Sequence, residues 1–139
     1  LGAPVGSLLV GPNDLIHRAK WIRKALGGGM RQAGVIAAAG VYALENNIDR
    51  LKDDHIRAQR LAKGLQASGY PTPTPASNMI YVDVRDGQKA QDMLGEEGVR
   101  CFAVSPTTLR LVTHLDVDDA GIAHAIEVFE KLAGSLTPQ

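Results

Sequence analysis

The stretch Asn78–Val84, NMIYVDV, decides the fold of the second half of this 139-residue chain. Ile80, Val82 and Val84 occupy alternate positions and therefore share one face, which is the pattern of a half-buried β-strand. The segments that follow predict a helix, two more strands and a last helix. In chain order they are Gly87–Glu97, Val99–Val104, Leu109–His114 and a helix capped by Asp116 or Asp118. This order of elements predicts a small α/β unit.

The first half of the chain predicts one strand and three helices. Val5–Gly11 is a short apolar run between glycines, which favours a buried strand. Asn13 or Asp14 is expected to cap the first helix, which has a basic face and ends at Gly27. The second helix is apolar on nearly every side, so we expect other protein surface to cover it. The three predicted helices cover Leu15–Leu26, Arg31–Asn46 and Ile48–Leu65.

Composition excludes several classes of protein. Fifteen Lys and Arg balance fifteen Asp and Glu, so the chain lacks the basic excess of a general nucleic-acid binder. We find no run of about 18 apolar residues, so no membrane span is predicted. The single cysteine, Cys101, excludes an internal disulfide framework and favours a reducing cytoplasm. No two histidines show metal-ligand spacing, so the sequence assigns no metal.

Gly27-Gly28-Gly29-Met30-Arg31 is the first candidate binding element. Glycines before a helix start can leave backbone N–H groups uncovered, and the helix dipole there favours an anion. Arg31 would add a charge with bidentate geometry, which suits a phosphate or a carboxylate. The alternative is a flexible connection between two helices with an exposed arginine. The residues alone leave both readings open.

Arg110 is the second candidate. Strict alternation places Arg110, Val112 and His114 on one face of their strand. A guanidinium among apolar strand residues is costly to bury unless it is paired, and a ligand carboxylate would pair with it bidentately. The alternative is an arginine on an edge strand with its charged head in water. Both readings stay open at this point.

The remaining reactive side chains give weaker signals. His55 lies in an apolar helical stripe, which favours a core or interface histidine. His114 sits near the carboxyl end of its strand and could approach a cleft. Cys101 lies in an apolar strand and is expected to serve packing. The six lysines all fall on predicted helices, and only Lys24, beside Arg23, has a cationic neighbour of the kind that lowers a lysine pKa.

Three blocks of sequence, in the same order, resemble the low-specificity threonine aldolases. They are Gly2–Ser7 (GAPVGS), Gly27–Gly34 (GGGMRQAG) and Leu109–His114 (LRLVTH). These enzymes depend on pyridoxal phosphate and have the aspartate-aminotransferase type of fold. The resemblance implies an α/β chain in which residues 1–46 close the large cofactor domain with a strand plus helices. Residues 47–139 would then form a long linking helix and a small C-terminal domain with a mainly antiparallel sheet.

The resemblance also implies an activity and a set of site residues. The reaction would be the aldol cleavage of L-threonine or L-allo-threonine to glycine and an aldehyde. The lysine that forms the Schiff base with pyridoxal 5′-phosphate is expected just before Leu1, so this segment would hold no catalytic residue and would be the C-terminal piece of a longer chain. By the same resemblance Arg110 and Lys24 bind substrate, and Arg31 binds the cofactor phosphate. The enzyme would be a homo-oligomer, a dimer of dimers, with active sites at subunit interfaces.

Two alternatives remain at this stage. Another pyridoxal-phosphate lyase or aminotransferase of the same fold type would keep the cofactor and change the reaction. Residues 76–139 could instead form an independent small α/β module that binds an amino acid, with the first half of the chain as an oligomerising arm. The products formed would test the first alternative, and the stability of the isolated module would test the second.

Overall fold

The computed structural model of the protein describes residues 1–138 and divides the chain into two compact units, Leu1–Ile48 and Asp49–Gln139. The first unit holds two helices and the second holds three helices and three strands. In chain order these elements are α1 (Asn13–Ala25), α2 (Gly34–Asn46), α3 (Leu51–Ala67), β1 (Met79–Asp83), α4 (Gly87–Glu96), β2 (Phe102–Ser105), β3 (Thr108–Val112) and α5 (Asp119–Leu136).

The strands of the second unit form one antiparallel sheet with the order β1-β3-β2. Tyr81 of β1 and Phe102 of β2 both lie opposite Arg110 of β3. The predicted α/β class and the predicted antiparallel sheet are therefore confirmed. The turn between β2 and β3 is short, and a bulge between Ala103 and Ser105 interrupts the pairing on the β2 side.

The core of the second unit joins the inner face of the sheet to α3, α4 and α5. Tyr70 and Phe129 fix its centre: the two rings meet edge to face with centroids 5.1 Å apart, and the Tyr70 hydroxyl donates to the Phe129 carbonyl oxygen at 2.9 Å. Fully buried apolar side chains come from every layer, among them Ala58, Leu65, Ile80, Val82, Leu94, Leu109 and Ile122. Because α3 supplies part of this core, the prediction that an independent module begins at residue 76 is wrong. The compact second unit begins at Asp49.

The first unit buries much less of its apolar surface. Ala43 is its only fully buried apolar residue. The predicted strand over Val5–Gly11 is wrong, because this segment has no strand structure and Leu8 and Val10 are more than 80% exposed. A strand needs a neighbour to accept and donate its backbone hydrogen bonds, and the described residues of this unit offer none.

The start of α5 follows the prediction, whereas the starts of α1 and α2 depart from it. Asp118 caps α5 by accepting from the Gly121 amide at 2.8 Å, as the sequence predicts. The residue before α1 is Pro12, and no side chain caps that helix. Helix α2 begins at Gly34 and not at Arg31, since Gln32 has a φ of +54° that a helix does not tolerate. None of the helices in the described residues has the length and apolar character needed to cross a membrane.

Gly87 gives a test of how closely α4 packs against the β2–β3 turn. Its amide donates to the Pro106 carbonyl at 2.7 Å, and an added Cβ would lie 2.7 Å from the Ser105 carbonyl oxygen. Gly87→Ala must therefore move backbone, and we expect a loss of about 1–3 kcal/mol in the free energy of unfolding. Gly95→Ala in the same helix meets nothing within 4 Å and should be neutral or stabilising by about 0.5–1 kcal/mol. Urea denaturation of both variants checks this, and equal effects would contradict it.

Candidate functional site

Strand β3 and the residues just beyond it place two candidate side chains, Arg110 and His114, on one face together with Val112. Leu109, Leu111 and Thr113 are buried, so the alternate residues Arg110 and His114 point to the opposite side. The shared face predicted for Arg110, Val112 and His114 is confirmed. Thr113 fixes this orientation just beyond the strand, because its hydroxyl donates to the Asp54 carbonyl oxygen at 2.7 Å.

A cavity of about 820 Å³ opens on this face of the second unit. One wall is the Arg110 face of β3, another is α4, and the residues between α4 and β2 complete it. The lining residues are Gln91, Asp92, Gly95, Glu96, Arg100, Cys101, Phe102, Arg110, Val112 and His114. The cavity thus contains two guanidinium groups, two carboxylates, an imidazole and an apolar surface, a combination that suits a small ligand carrying both charges.

Arg110 is the side chain that the cavity leaves incompletely satisfied. Its Nε is buried and makes no hydrogen bond with any described residue, and no described carboxylate forms an ion pair with it. The Phe102 ring lies 6.0 Å from the guanidinium carbon, in cation–π range. Arg110 thus presents a guanidinium to the cavity with no carboxylate among the described residues to pair with it, which suits a ligand carboxylate.

The position of β3 in the sheet excludes the alternative reading of Arg110. An edge-strand arginine needs one free side of its strand, but β3 lies between β1 and β2. Arg110 is also only partly exposed. The interpretation of this residue as a solvated edge charge is therefore wrong, and a guanidinium directed into a cavity replaces it.

The glycine loop of the first unit departs from its predicted role. Gly27 has a φ of +83°, as expected for a residue that ends a helix. The Gly27 amide donates to the Lys24 carbonyl at 3.1 Å, and the Gly28 amide donates to the Arg23 carbonyl at 2.8 Å. The expectation of uncovered amides is therefore wrong for these two residues, because they satisfy the last carbonyls of α1.

Side chains, and not backbone amides, supply the positive charge at this loop. Lys24 Nζ lies 3.2 Å from the point that a Cβ on Gly29 would occupy, so the absence of a side chain at Gly29 lets the ammonium group lie over the loop. Arg31 follows two residues later and is exposed. Lys24 and Arg31 therefore belong to the first unit, whereas Arg110 and His114 belong to the second.

His55 and the lysines other than Lys24 belong neither to the cavity lining nor to the glycine loop. His55 is exposed on α3 and not part of the core, because the apolar stripe of that helix begins to be buried only at Ala58. All six lysines of the chain are exposed. Within residues 1–138, no three His, Cys, Asp or Glu side chains group as they would around a metal ion.

Sequence reasoning missed Phe102 and the α4 wall of the cavity. Phe102 faces Arg110 only through the register of the β2–β3 hairpin, and the short turn between these strands was the available signal for that register. Glu96 also lines this wall, and nothing in the local sequence of α4 indicates that it faces a cavity.

Cys101 lines the cavity, and burial raises the pKa of its thiol from 9.0 to about 11. The folded state therefore holds this proton at a pH where the unfolded chain releases it, so stability should fall as pH rises from about 9 to 11. Cys101→Ala should flatten the dependence of unfolding free energy on pH in that window, whatever it does to the absolute stability. An unchanged slope in urea denaturation across this range would show that the thiol is not the group responsible.

Comparison with known proteins gives a consistent result. The sequence profile of the family described as Beta-eliminating lyase matches residues 1–86. The chain is 46% identical over 125 residues to the low specificity L-threonine aldolase of Escherichia coli K12, covering 88% of this chain and 37% of that protein. It is 38% identical over 139 residues to low-specificity L-threonine aldolase 1 of Arabidopsis thaliana, covering 94% of this chain and 39% of that protein. The chain thus spans less than two fifths of these relatives.

The fold has a solved counterpart. A crystal structure from Burkholderia pseudomallei, described as a "putative aminotransferase", aligns with 88% of this chain and 38% of its own, with a TM-score of 0.61 and 20% sequence identity. At that identity the likeness concerns the fold alone, and it agrees with the aminotransferase type of fold that the sequence blocks imply.

Proposed function

Since the chain belongs to the beta-eliminating lyase family, we propose that the whole protein is a pyridoxal 5′-phosphate-dependent threonine aldolase, a carbon–carbon lyase. It would cleave L-threonine and L-allo-threonine to glycine and an aldehyde. The observation that carries the proposal is the 46% identity, over 88% of this chain, to a relative named for that activity. Arg110 supports it independently, because its guanidinium lines a cavity without a carboxylate partner among the described residues, and every substrate of such an enzyme carries an α-carboxylate.

Arg110 would bind that α-carboxylate. Its two terminal nitrogens can donate in parallel to both carboxylate oxygens, and Phe102 restricts the plane of the guanidinium. A fixed carboxylate fixes the rotation of the substrate about its Cα, and therefore decides which Cα bond is aligned for cleavage. The contribution of Arg110 would be positioning as well as affinity.

Arg31 would bind the phosphate of the cofactor, since its guanidinium can donate to two phosphate oxygens at once. Lys24 would bind the substrate, and Gly29 leaves open the space that a Cβ would fill beneath Lys24 Nζ. When bound, pyridoxal phosphate supplies an electron sink for the carbon that loses a bond. We assign the lysine that carries the cofactor to none of the six in this chain, since all are exposed and none is desolvated in an apolar pocket.

We further propose a cytoplasmic homotetramer with active sites at subunit interfaces. The exposed apolar side chains of the first unit support an assembly, since Trp21, Val35 and Tyr42 are each more than 60% exposed. The lone, buried thiol of Cys101 is compatible with a reducing compartment. Sedimentation of the whole protein with its cofactor would test the assembly.

Product analysis tests the reaction. The full-length protein, supplied with pyridoxal 5′-phosphate, should convert L-threonine to glycine and acetaldehyde in equal amounts. Pyridoxal-phosphate binding without any cleavage of threonine or allo-threonine would show that the reaction assignment is wrong.

The family's description favours a second candidate, a β-eliminating lyase of the same fold. Elimination from threonine would release ammonia and a keto acid and would yield no glycine. The same product analysis therefore separates the two reactions in one measurement.

A further inference from the structure

The cavity face of β3 presents three unlike side chains in a line. Arg110, Val112 and His114 alternate along the strand direction, and all three line the cavity. Four residues of extended chain span about 13 Å, so one carboxylate does not reach both ends. The line offers a cation at one end, an apolar surface in the middle and an imidazole at the other end.

The His114 ring is held in a definite way. The preceding residue, Thr113, is fixed by two hydrogen bonds to Asn78. The Thr113 amide donates to the Asn78 carbonyl at 3.0 Å, and the Asn78 side-chain amide donates to the Thr113 carbonyl at 2.8 Å. With Thr113 buried, His114 must lie on the cavity side. The Asp116 amide then donates to His114 Nδ1 at 3.3 Å.

This contact decides what the ring can offer a ligand. When the imidazole is neutral, an acceptor at Nδ1 places the hydrogen on Nε2. When the imidazole is protonated, Nδ1 also carries a hydrogen, and the Asp116 carboxylate lies 3.6 Å from Nδ1. The hydrogen on Nε2 stays where it is. Nε2 is therefore a hydrogen-bond donor in both states, and no described residue accepts from it.

Resting on the proposed function, we propose that His114 determines specificity for the far end of the substrate's β-substituent. The substrates it selects are β-hydroxy-α-amino acids whose substituent ends in a hydrogen-bond acceptor, such as a carbonyl. The α-carboxylate binds Arg110, the carbon chain lies along Val112, and the terminal acceptor receives a hydrogen bond from His114 Nε2. Threonine is too short to make this last contact.

Binding of two amino acids of the same shape tests the inference without any turnover. L-Glutamine ends in a carboxamide, whereas L-homoleucine has two methyl groups in place of the amide oxygen and nitrogen, and neither has a β-hydroxyl to cleave. The preference is measured as the Kd for homoleucine divided by the Kd for glutamine, in the full-length protein with pyridoxal 5′-phosphate. His114→Ala should lower this ratio by about three- to tenfold. His114→Gln keeps an N–H donor and should restore most of it.

A matched control and a spectroscopic readout complete the test. His124 is a second exposed histidine whose Nε2 contacts the Glu97 carbonyl outside the cavity, and His124→Ala should leave the ratio unchanged. Nitrogen-15 spectra should show His114 with its hydrogen on Nε2, and glutamine should shift that signal more than homoleucine does. An unchanged ratio in His114→Ala, or binding of neither amino acid, would overturn the inference.

Kinetics separates the two levels of the proposal. β-Hydroxyglutamine and β-hydroxyhomoleucine are the cleavable counterparts of the two ligands, and His114→Ala should change the ratio of their kcat/KM values in the same direction. If the wild-type protein cleaves threonine and this ratio does not move, the role of His114 is wrong and the aldolase assignment stands. If His114→Ala changes the ratio of Kd values but the protein cleaves neither threonine nor the β-hydroxy amino acids, His114 recognises the terminal acceptor and the aldolase assignment is wrong.

Discussion

Under the proposed aldolase activity, Arg110→Ala is expected to raise KM for L-threonine in the full-length protein. It should lower kcat/KM by an amount equivalent to roughly 2–5 kcal/mol of transition-state binding. The guanidinium is only partly exposed and has no ion-pair partner among residues 1–138. The ligand carboxylate would therefore lose its main contact and gain no substitute. Steady-state kinetics with threonine and allo-threonine measures the effect.

Two further variants show what part of Arg110 matters. Arg110→Lys keeps the charge but loses the planar fork and its packing on Phe102, so we expect it to recover only part of the loss. Arg100 lines the same cavity but is exposed, and Arg100→Ala should cost less than about 1 kcal/mol. A kcat/KM unchanged in Arg110→Ala, or an equal loss in Arg100→Ala, would remove Arg110 from the substrate site.

The second half of the chain was predictable because its signals are local and mutually consistent. The alternation of Ile80, Val82 and Val84 marks a strand, and Asp118 caps a helix whose apolar face is buried. The same alternation placed Arg110 and His114 on one face. Each of these inferences needs only neighbouring residues, and each is confirmed.

The first half illustrates where local signals fail. Val5–Gly11 has the composition of a strand, but composition supplies no hydrogen-bonding neighbour. Arg31–Asn46 has helical character, but the helix begins three residues late because Gln32 adopts a positive φ. Gly27 and Gly28 looked free to bind an anion, but their amides close the end of α1. In the first and third cases a hydrogen-bonding partner decides the structure, and the pattern of one segment does not identify partners.

The cavity is a product of tertiary structure for the same reason. Its α4 wall and Phe102 meet Arg110 through strand register and helix packing. The sequence placed Arg110 and His114, which line this cavity, on one face of the strand, and it missed what they face, since the contact between Phe102 and Arg110 joins different strands. Cavity-lining residues on one strand are thus predictable together, whereas the opposite wall of a cavity is not.

An ion pair at the start of α3 stabilises the helical turn that Thr113 contacts just beyond the end of β3. Arg50 donates to both carboxylate oxygens of Asp54, at 3.1 and 2.8 Å, and the Asp54 side chain is only 3% exposed. The backbone carbonyl of Asp54 accepts from the Thr113 hydroxyl. The pair therefore stabilises the turn of α3 against which Thr113, and with it the neighbouring His114, is positioned.

Arg50→Ala should be among the most destabilising substitutions on the surface of this unit, because it leaves a buried carboxylate without its partner. We expect a loss of about 3–5 kcal/mol, the usual cost of breaking a buried pair from one side. Arg57→Ala on the same helix removes a contact to Asp119 at 3.2 Å, and Asp119 is 68% exposed. That loss should stay below about 1 kcal/mol. Hydrogen exchange of the β1 and β3 amides measures both in the folded protein, and similar protection in the two variants would mean that Asp54 is stabilised by something other than Arg50.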